Sequence, residues 1–350
     1  MEFKPDWAEA RERLCHWWTG KATGRAIAKV TSPRRGVTRR PWRDRVPEQY
    51  IDESAVFHNV DAALESTFYG GEAFPGHWVY LGPVPLSGYM GCQMHFEPGT
   101  VWHSQRFDSW DDVGGLAFDP SNQWYRILCE LTRASVQRAQ GKYLVSGQGF
   151  GCVSDVIADL WGLEPTLMAM IERPEAIKTA VRKLTGISKS LYDQVHTLTS
   201  PRQEGSFDWL GLWAPGRIWT LQSDLCCMIS PSAFSDFILD ELREEAEHVD
   251  FSFYHLDGPG AIRHLDALLS IEALDGIQWV PGAGASGDPM DWISLFRRIQ
   301  AAGKKLLVGC PPERVKPLLA NISRQDVCLS ISCPDQTTAE RVLLELDHIA

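Results

Sequence analysis

The sequence predicts an α/β protein built as a (β/α)8 TIM-type barrel with an extended N-terminal portion. Three observations predict it. From about residue 142, short apolar runs alternate with Gly/Pro/Asp-rich breaks and then helical stretches of ten or more residues, which is βα repetition. Six such units are visible, a pattern that argues for a parallel sheet covered by helices. Open nucleotide-binding sheets alternate in the same way, but no Gly-x-Gly-x-x-Gly follows the first strand and no Gly-x-x-x-x-Gly-Lys-Ser/Thr occurs. A length of 350 residues suits one barrel with insertions.

Taken in order, Trp7, Ala10, Leu14, Trp17 and Trp18 repeat at close to 3.6 residues and predict an amphipathic helix over 7–18. Residues 25–140 mix aromatic and Gly/Pro-rich stretches, such as Phe68-Tyr69-Gly70-Gly71, with one helix expected over 121–140. Residues 1–140 therefore read as a helical and loop portion packed on the barrel, and 141–350 as its main βα repeats, one structural domain overall. Strands are expected at 143–145, 209–213, 251–255, 276–280, 305–308 and 327–331. Helices are expected at 154–170, 174–196, 231–248, 259–270, 289–302, 312–320 and 336–348. Ser230-Pro231 and Asp288-Pro289 are good helix starts, a capping side chain followed by a proline that needs no amide partner.

Composition narrows the function classes. A net charge of −11 disfavours nucleic acid, and no segment nears the ~20 uninterrupted apolar residues that span a bilayer. The N-terminus enters a charged helical pattern without a signal peptide's apolar core, so export is not expected. Nine cysteines, an odd set with no Cys-x-x-Cys, are unlike a secreted disulfide framework and fit a reducing cytoplasm. Six arginines at 34, 35, 39, 40, 43 and 45 could face an anionic ligand, although such runs are commonly solvated loops.

In a barrel the reactive residues sit where strands end and βα loops begin. Those ends carry Gly147-Gln148-Gly149, Trp213, His255-Leu256-Asp257-Gly258, Gln278-Trp279, Cys310 and Cys333. One imidazole, one carboxylate and two thiols from three strand ends are the donors a mononuclear zinc site would use: His255, Asp257, Cys333 and Cys310. The bland alternative is that each thiol is a small buried hydrophobe. Cys226 and Cys227, being adjacent, diverge and read as packing residues, and His95, Glu97 and His103 read as surface loop rather than ligands. Asp208 and Asp224 flank the 209–213 run, and a carboxylate beside Trp209 or Trp213 in a cleft could have a raised pKa and act as acid or base, or could cap a helix. Gln148, Trp213, Gln278 and Trp279 are candidate substrate contacts, Asp224 and Asp257 candidate catalytic carboxylates.

Several stretches resemble the uroporphyrinogen decarboxylase superfamily, which also contains the cobalamin-dependent methyltransferases. They are Gly147-Gln148-Gly149-Phe150, Asp155 to Leu167 with Glu172-Arg173-Pro174-Glu175, and Asp224 through Ile229-Ser230-Pro231 to Phe234. Tyr254-His255-Leu256-Asp257-Gly258 resembles the methyltransferase branch's His-x-Cys-Gly segment, which supplies zinc ligands, and Cys333 matches its downstream cysteine. Asp257 stands where that pattern has its middle cysteine, and the decarboxylase branch's Arg-Gln-Ala-Gly-Arg string is absent. An oxygen ligand would leave zinc more Lewis-acidic and less suited to holding a thiolate.

The resemblance implies a zinc-dependent methyltransferase that acts on a small methylated substrate. Because Asp-x-His-x-x-Gly is missing, the corrinoid would arrive on a separate partner protein. Metal-independent decarboxylase or lyase chemistry on a carboxylated molecule, and a non-catalytic ligand-binding barrel, stay open. A small-molecule substrate, a corrinoid protein and a homodimer are the associations allowed.

Overall fold

The computed structural model describes residues 1–21, 23–147 and 150–349. Its strands are β1 (Ile27–Pro33), β2 (Thr67–Gly71), β3 (Gly76–Trp78), β4 (Gln93–Phe96), β5 (Val101–Ser104), β6 (Leu144–Ser146), β7 (Ser206–Phe207), β8 (Trp213–Ala214), β9 (Ile218–Leu221), β10 (Phe251–Asp257), β11 (Gly276–Val280), β12 (Lys305–Gly309) and β13 (Val327–Ser332). One parallel ladder runs β1-β13-β12-β11-β10-β9, with β2 antiparallel outside β1. β3 and β6 form a separate parallel pair, and β4–β5 and β7–β8 are antiparallel hairpins. The molecule is thus the expected α/β type with a large parallel sheet; among the described residues the ladders do not form a hydrogen-bonded ring.

Residues before 140 do more than pack on the repeats, since they supply β1 and β3 to parallel ladders. The expected strand over 209–213 is not one. Asp208 accepts the Leu210 amide and its carbonyl accepts the Gly211 amide, closing a tight turn that Gly211 completes at φ +61°. The strand of the main sheet comes a few residues later, as β9.

The opening helix spans Trp7–Trp18, with Ala10, Leu14, Trp17 and Trp18 buried. The helix expected over 154–170 is divided at Gly162, into Val153–Trp161 and Leu163–Glu172. Ser230 caps Pro231–Phe237 by accepting the Ala233 amide, and Asp335 does the same for Thr338 at the head of Gln336–His348.

Side chains alternate across the sheet. Ala28 and Val30, Tyr254 and Leu256, Leu329 and Ile331 point to the helical layer and join its apolar core. On the opposite face the N-terminal halves of the strands are sealed: Ile27, Phe253, Leu307 and Cys328 pack with Trp17, Trp18 and Trp213, and the Trp18 indole donates to the Trp213 carbonyl at 2.9 Å. Toward the C-terminal ends this second face turns polar, carrying Lys29, Thr31, His255, Asp257, Gln278, Ser330 and Ser332, none of them fully buried.

Glu72, fully buried just after β2, joins the opening helix to the sheet. It accepts from Arg13 Nε at 2.7 Å, from both Arg25 terminal nitrogens at 2.9 and 3.1 Å, and from the Ala28 amide at 2.8 Å.

Candidate active site at the strand ends

His255 and Gln278 are register partners on β10 and β11, so their side chains leave the same face side by side. His255 Nδ1 lies 2.5 Å from Gln278 Oε1. An amide oxygen only accepts, so Nδ1 carries the proton toward Gln278, and in the neutral ring Nε2 keeps its lone pair. The His255 ring meets the Trp209 ring edge-on, with centroids 5.0 Å apart. Asp257, two residues along, shares the face; its Oδ1 has no hydrogen-bond partner among the described residues. That oxygen lies against Gly282, where an added Cβ would come within 3.1 Å of it and where φ is +69°. The backbone after β11 thus approaches the carboxylate closely because glycine allows it.

A cavity of about 280 Å³ opens on the same side, lined by Lys29, Thr31, Trp78, Asp208, Trp209 and Ser330 among others. Asp208 is buried and takes hydrogen bonds from the Thr220 hydroxyl and the Leu210 amide. Burial nonetheless pushes its carboxyl up to about 6, against those bonds and the Lys29 charge. Lys29 Nζ donates to the Leu210 carbonyl at 2.5 Å; burial lowers its pKa, with the Cys328 thiol and Asp208 opposing. Asp208 beside Trp209 bears out the reading of a cleft carboxylate with raised pKa. Lys29 is the residue that sequence reasoning missed, and the alternation of Lys29 and Thr31 with Ala28 and Val30 was the signal that could have found it.

The four expected zinc donors divide. His255 and Asp257 face the mouth, whereas Cys310 and Cys333 are buried with the helical-layer core, in step with the outward residues Val308 and Ile331. The Cys310 thiol, pushed up to about 12 by burial and the nearby Glu313 and Asp288 carboxylates, donates to the Pro311 carbonyl at 3.4 Å. Among the described residues no group of three or more His, Cys, Asp or Glu side chains is placed to hold a metal ion. A catalytic zinc needs three protein ligands, and this arrangement does not offer them.

Trp213 lies at the sealed N-terminal side, its indole donating to the Glu204 carbonyl at 3.0 Å, and not at the mouth. Trp279 faces the helical layer, packs against Trp292 at 4.7 Å between centroids, and borders a cavity of about 390 Å³ with Cys310 and Ser332. Asp224 is exposed and accepts from the Gln222 amide at 2.8 Å, while its own backbone amide donates to Asp155. Gln148 lies outside the described residues. Cys226 is buried as a packing residue, but Cys227 is exposed. His95 stacks on Trp102, and His103 is held by Asp159 at 3.0 Å, so that trio makes no ligand set. The arginine run is an outer loop with its own partners, Arg35 on Glu340, Arg40 on Glu65 and Arg45 on Glu48.

Together these features define an α/β protein with a polar, titratable site at the C-terminal ends of parallel strands, the place where such sheets carry chemistry. Among solved structures the chain is similar to a methyltransferase from Methanosarcina mazei, with a TM-score of 0.65 and 13% sequence identity, covering 97% of this chain and 98% of that one. At that identity the likeness concerns the fold. No family profile and no curated protein matches.

Proposed function

We propose that the chain is a methyltransferase-type enzyme acting on a small polar molecule in the strand-end cavity, its strands arranged as a (β/α)8 barrel that β3 and β6 complete. A corrinoid on a separate partner protein would supply an electrophilic methyl group. The observation that carries the reading is the full-length fold likeness to a methyltransferase, joined to a histidine whose tautomer is set at the strand ends. In that reading the cavity walls hold the acceptor. His255 Nε2 takes the proton that the acceptor's heteroatom sheds as it is methylated, and Gln278 keeps the imidazole oriented and shares the positive charge it gains. Zinc is not part of the proposal, because Cys310 and Cys333 do not join His255 and Asp257.

The test uses free methylcobalamin with a panel of small thiols, amines and alcohols, read by loss of the methyl–cobalt visible spectrum. Turnover that needs the protein and falls by about 10²-fold or more in His255→Ala is expected, the usual worth of a positioned general base. No protein-dependent loss with any acceptor would rule the proposal out. A lyase or decarboxylase reading is favoured by one observation, Asp208 as a proton donor near pH 6 in the Lys29 cavity. It would be preferred if Asp208→Asn abolished turnover of a carboxylated substrate that His255→Ala left unchanged.

A further inference from the structure

We propose that the cavity beside Trp209 is a binding site for the carboxylate of a small monoanionic molecule, with Lys29 as its counter-ion. The proposal deepens the methyltransferase reading by naming the substrate class, and it rests on that reading only for turnover.

Lys29 and Ser330 are register partners on β1 and β13, and Thr31 lies two residues further on the same face. Lys29 Nζ has three protons to give; one goes to the Leu210 carbonyl at 2.5 Å, and among the described residues no carboxylate forms an ion pair with it. A half-buried ammonium without an ion-pair partner is costly, and an anion in the cavity removes that cost. Asp208 acts on Lys29 through charge but is not in direct contact with it, because its oxygens take the Thr220 hydroxyl and the Leu210 amide. The Thr31 and Ser330 hydroxyls line the same space and can donate to the second carboxylate oxygen.

Charge and size select within the anions. Lys29 is the one cation lining the cavity among the described residues, and no guanidinium fork is present to match a phosphate dianion. A volume of about 280 Å³ lies at the small end of ligand cavities and suits a molecule of few heavy atoms. Trp78 and Trp209 supply flat apolar walls for its body, and Gly309, the register neighbour of Ser330, leaves open space where a side chain would stand. Trp209, which lines the cavity, also meets the His255 ring edge-on, so the imidazole stands behind that wall.

Binding is measured without any methyl donor, so failure of methyl transfer leaves this result untouched. Propionate and benzoate are titrated against propionamide and benzamide, read by quenching of tryptophan fluorescence, with the unfolding midpoint of each variant recorded alongside. The acids are expected to bind and the amides not. Lys29→Met should weaken the acids by about tenfold or more, as loss of a charged hydrogen-bond donor does, and Ser330→Ala by about two- to tenfold. Should Lys29→Met not fold, the acid-over-amide preference of the unaltered protein and the Ser330→Ala effect decide. Equal binding of acid and amide, or Lys29→Met binding like the original, overturns the proposal. So does covalent trapping of propanal on Lys29 by borohydride, which would make the side chain an amine nucleophile instead.

Discussion

Gln278 decides which nitrogen of His255 is bare, and that choice is chemical rather than structural. Gln278→Leu, similar in bulk but without an acceptor, should lower turnover by about 10–100-fold, the scale of loss when a histidine's orienting partner is removed, with little change in the melting midpoint. An equal fall in activity and melting temperature would mean that Gln278 only holds the sheet together. The placement of His255, Asp257 and Gln278 at strand ends was legible because the βα repeat marks where strands stop, although Gln278, expected to contact substrate, is engaged with His255. Cys310 and Cys333 were misplaced by the same reasoning, since it marks where a strand ends and not which face its last residue takes. One residue of phase separates Ser332, on the open face, from Cys333, in the helical core. Lys29 escaped notice because charged residues are ordinarily sought in loops, and it sits in the middle of β1.

Behind the sheet, the helices Val153–Trp161 and Leu239–Glu247 bring three carboxyls into the interior. Burial pushes Glu245 up to about 8 and raises Glu241 with it, and burial with the Asp224 charge pushes Asp155 up to about 7. A carboxyl with a raised folded pKa keeps a proton that the unfolded chain gives up near its ordinary value, so stability falls as pH rises. The part of the fall due to Glu245 should begin above pH ~4.5 and level off above about 8. Glu245→Gln, isosteric and uncharged, should flatten that decline by an amount on the order of 3 kcal/mol, measured by urea unfolding at pH 5.5 and 8.5. Identical slopes for variant and original would show that Glu245 is not the group responsible. Helices of this kind were readable in outline from their caps and 3.6 period, including Trp7–Trp18 and Gln336–His348. Strand β9 was not, because four residues give periodicity little to act on, while the nearby Trp209–Trp213 run is apolar enough to imitate a strand.

At the scale of the molecule, Glu72 holds the opening helix and β1 in one arrangement through Arg13, Arg25 and the Ala28 amide. Glu72→Gln leaves two guanidinium groups facing a neutral amide in a buried setting, and should cost about 3–5 kcal/mol. Chemical denaturation would show it as a lower midpoint with an unchanged slope, and a loss under 1 kcal/mol would mean that water already screens those charges. The overall class was readable because alternation of strand and helix survives much local error. The path of the first 140 residues was not, since β1 finds its partner only at β13.

That last pairing has a consequence in time. Lys29 and Ser330 stand side by side in the sheet but are separated along the chain by about 300 residues, a long loop to close. A growing polypeptide would carry Lys29 exposed and unmatched until β13 had emerged from the ribosome and come to rest against β1. Competence to bind would then arrive in one step, when β13 docks, and a molecule held in the cavity would act as a clasp, favouring only chains in which β1 and β13 have met.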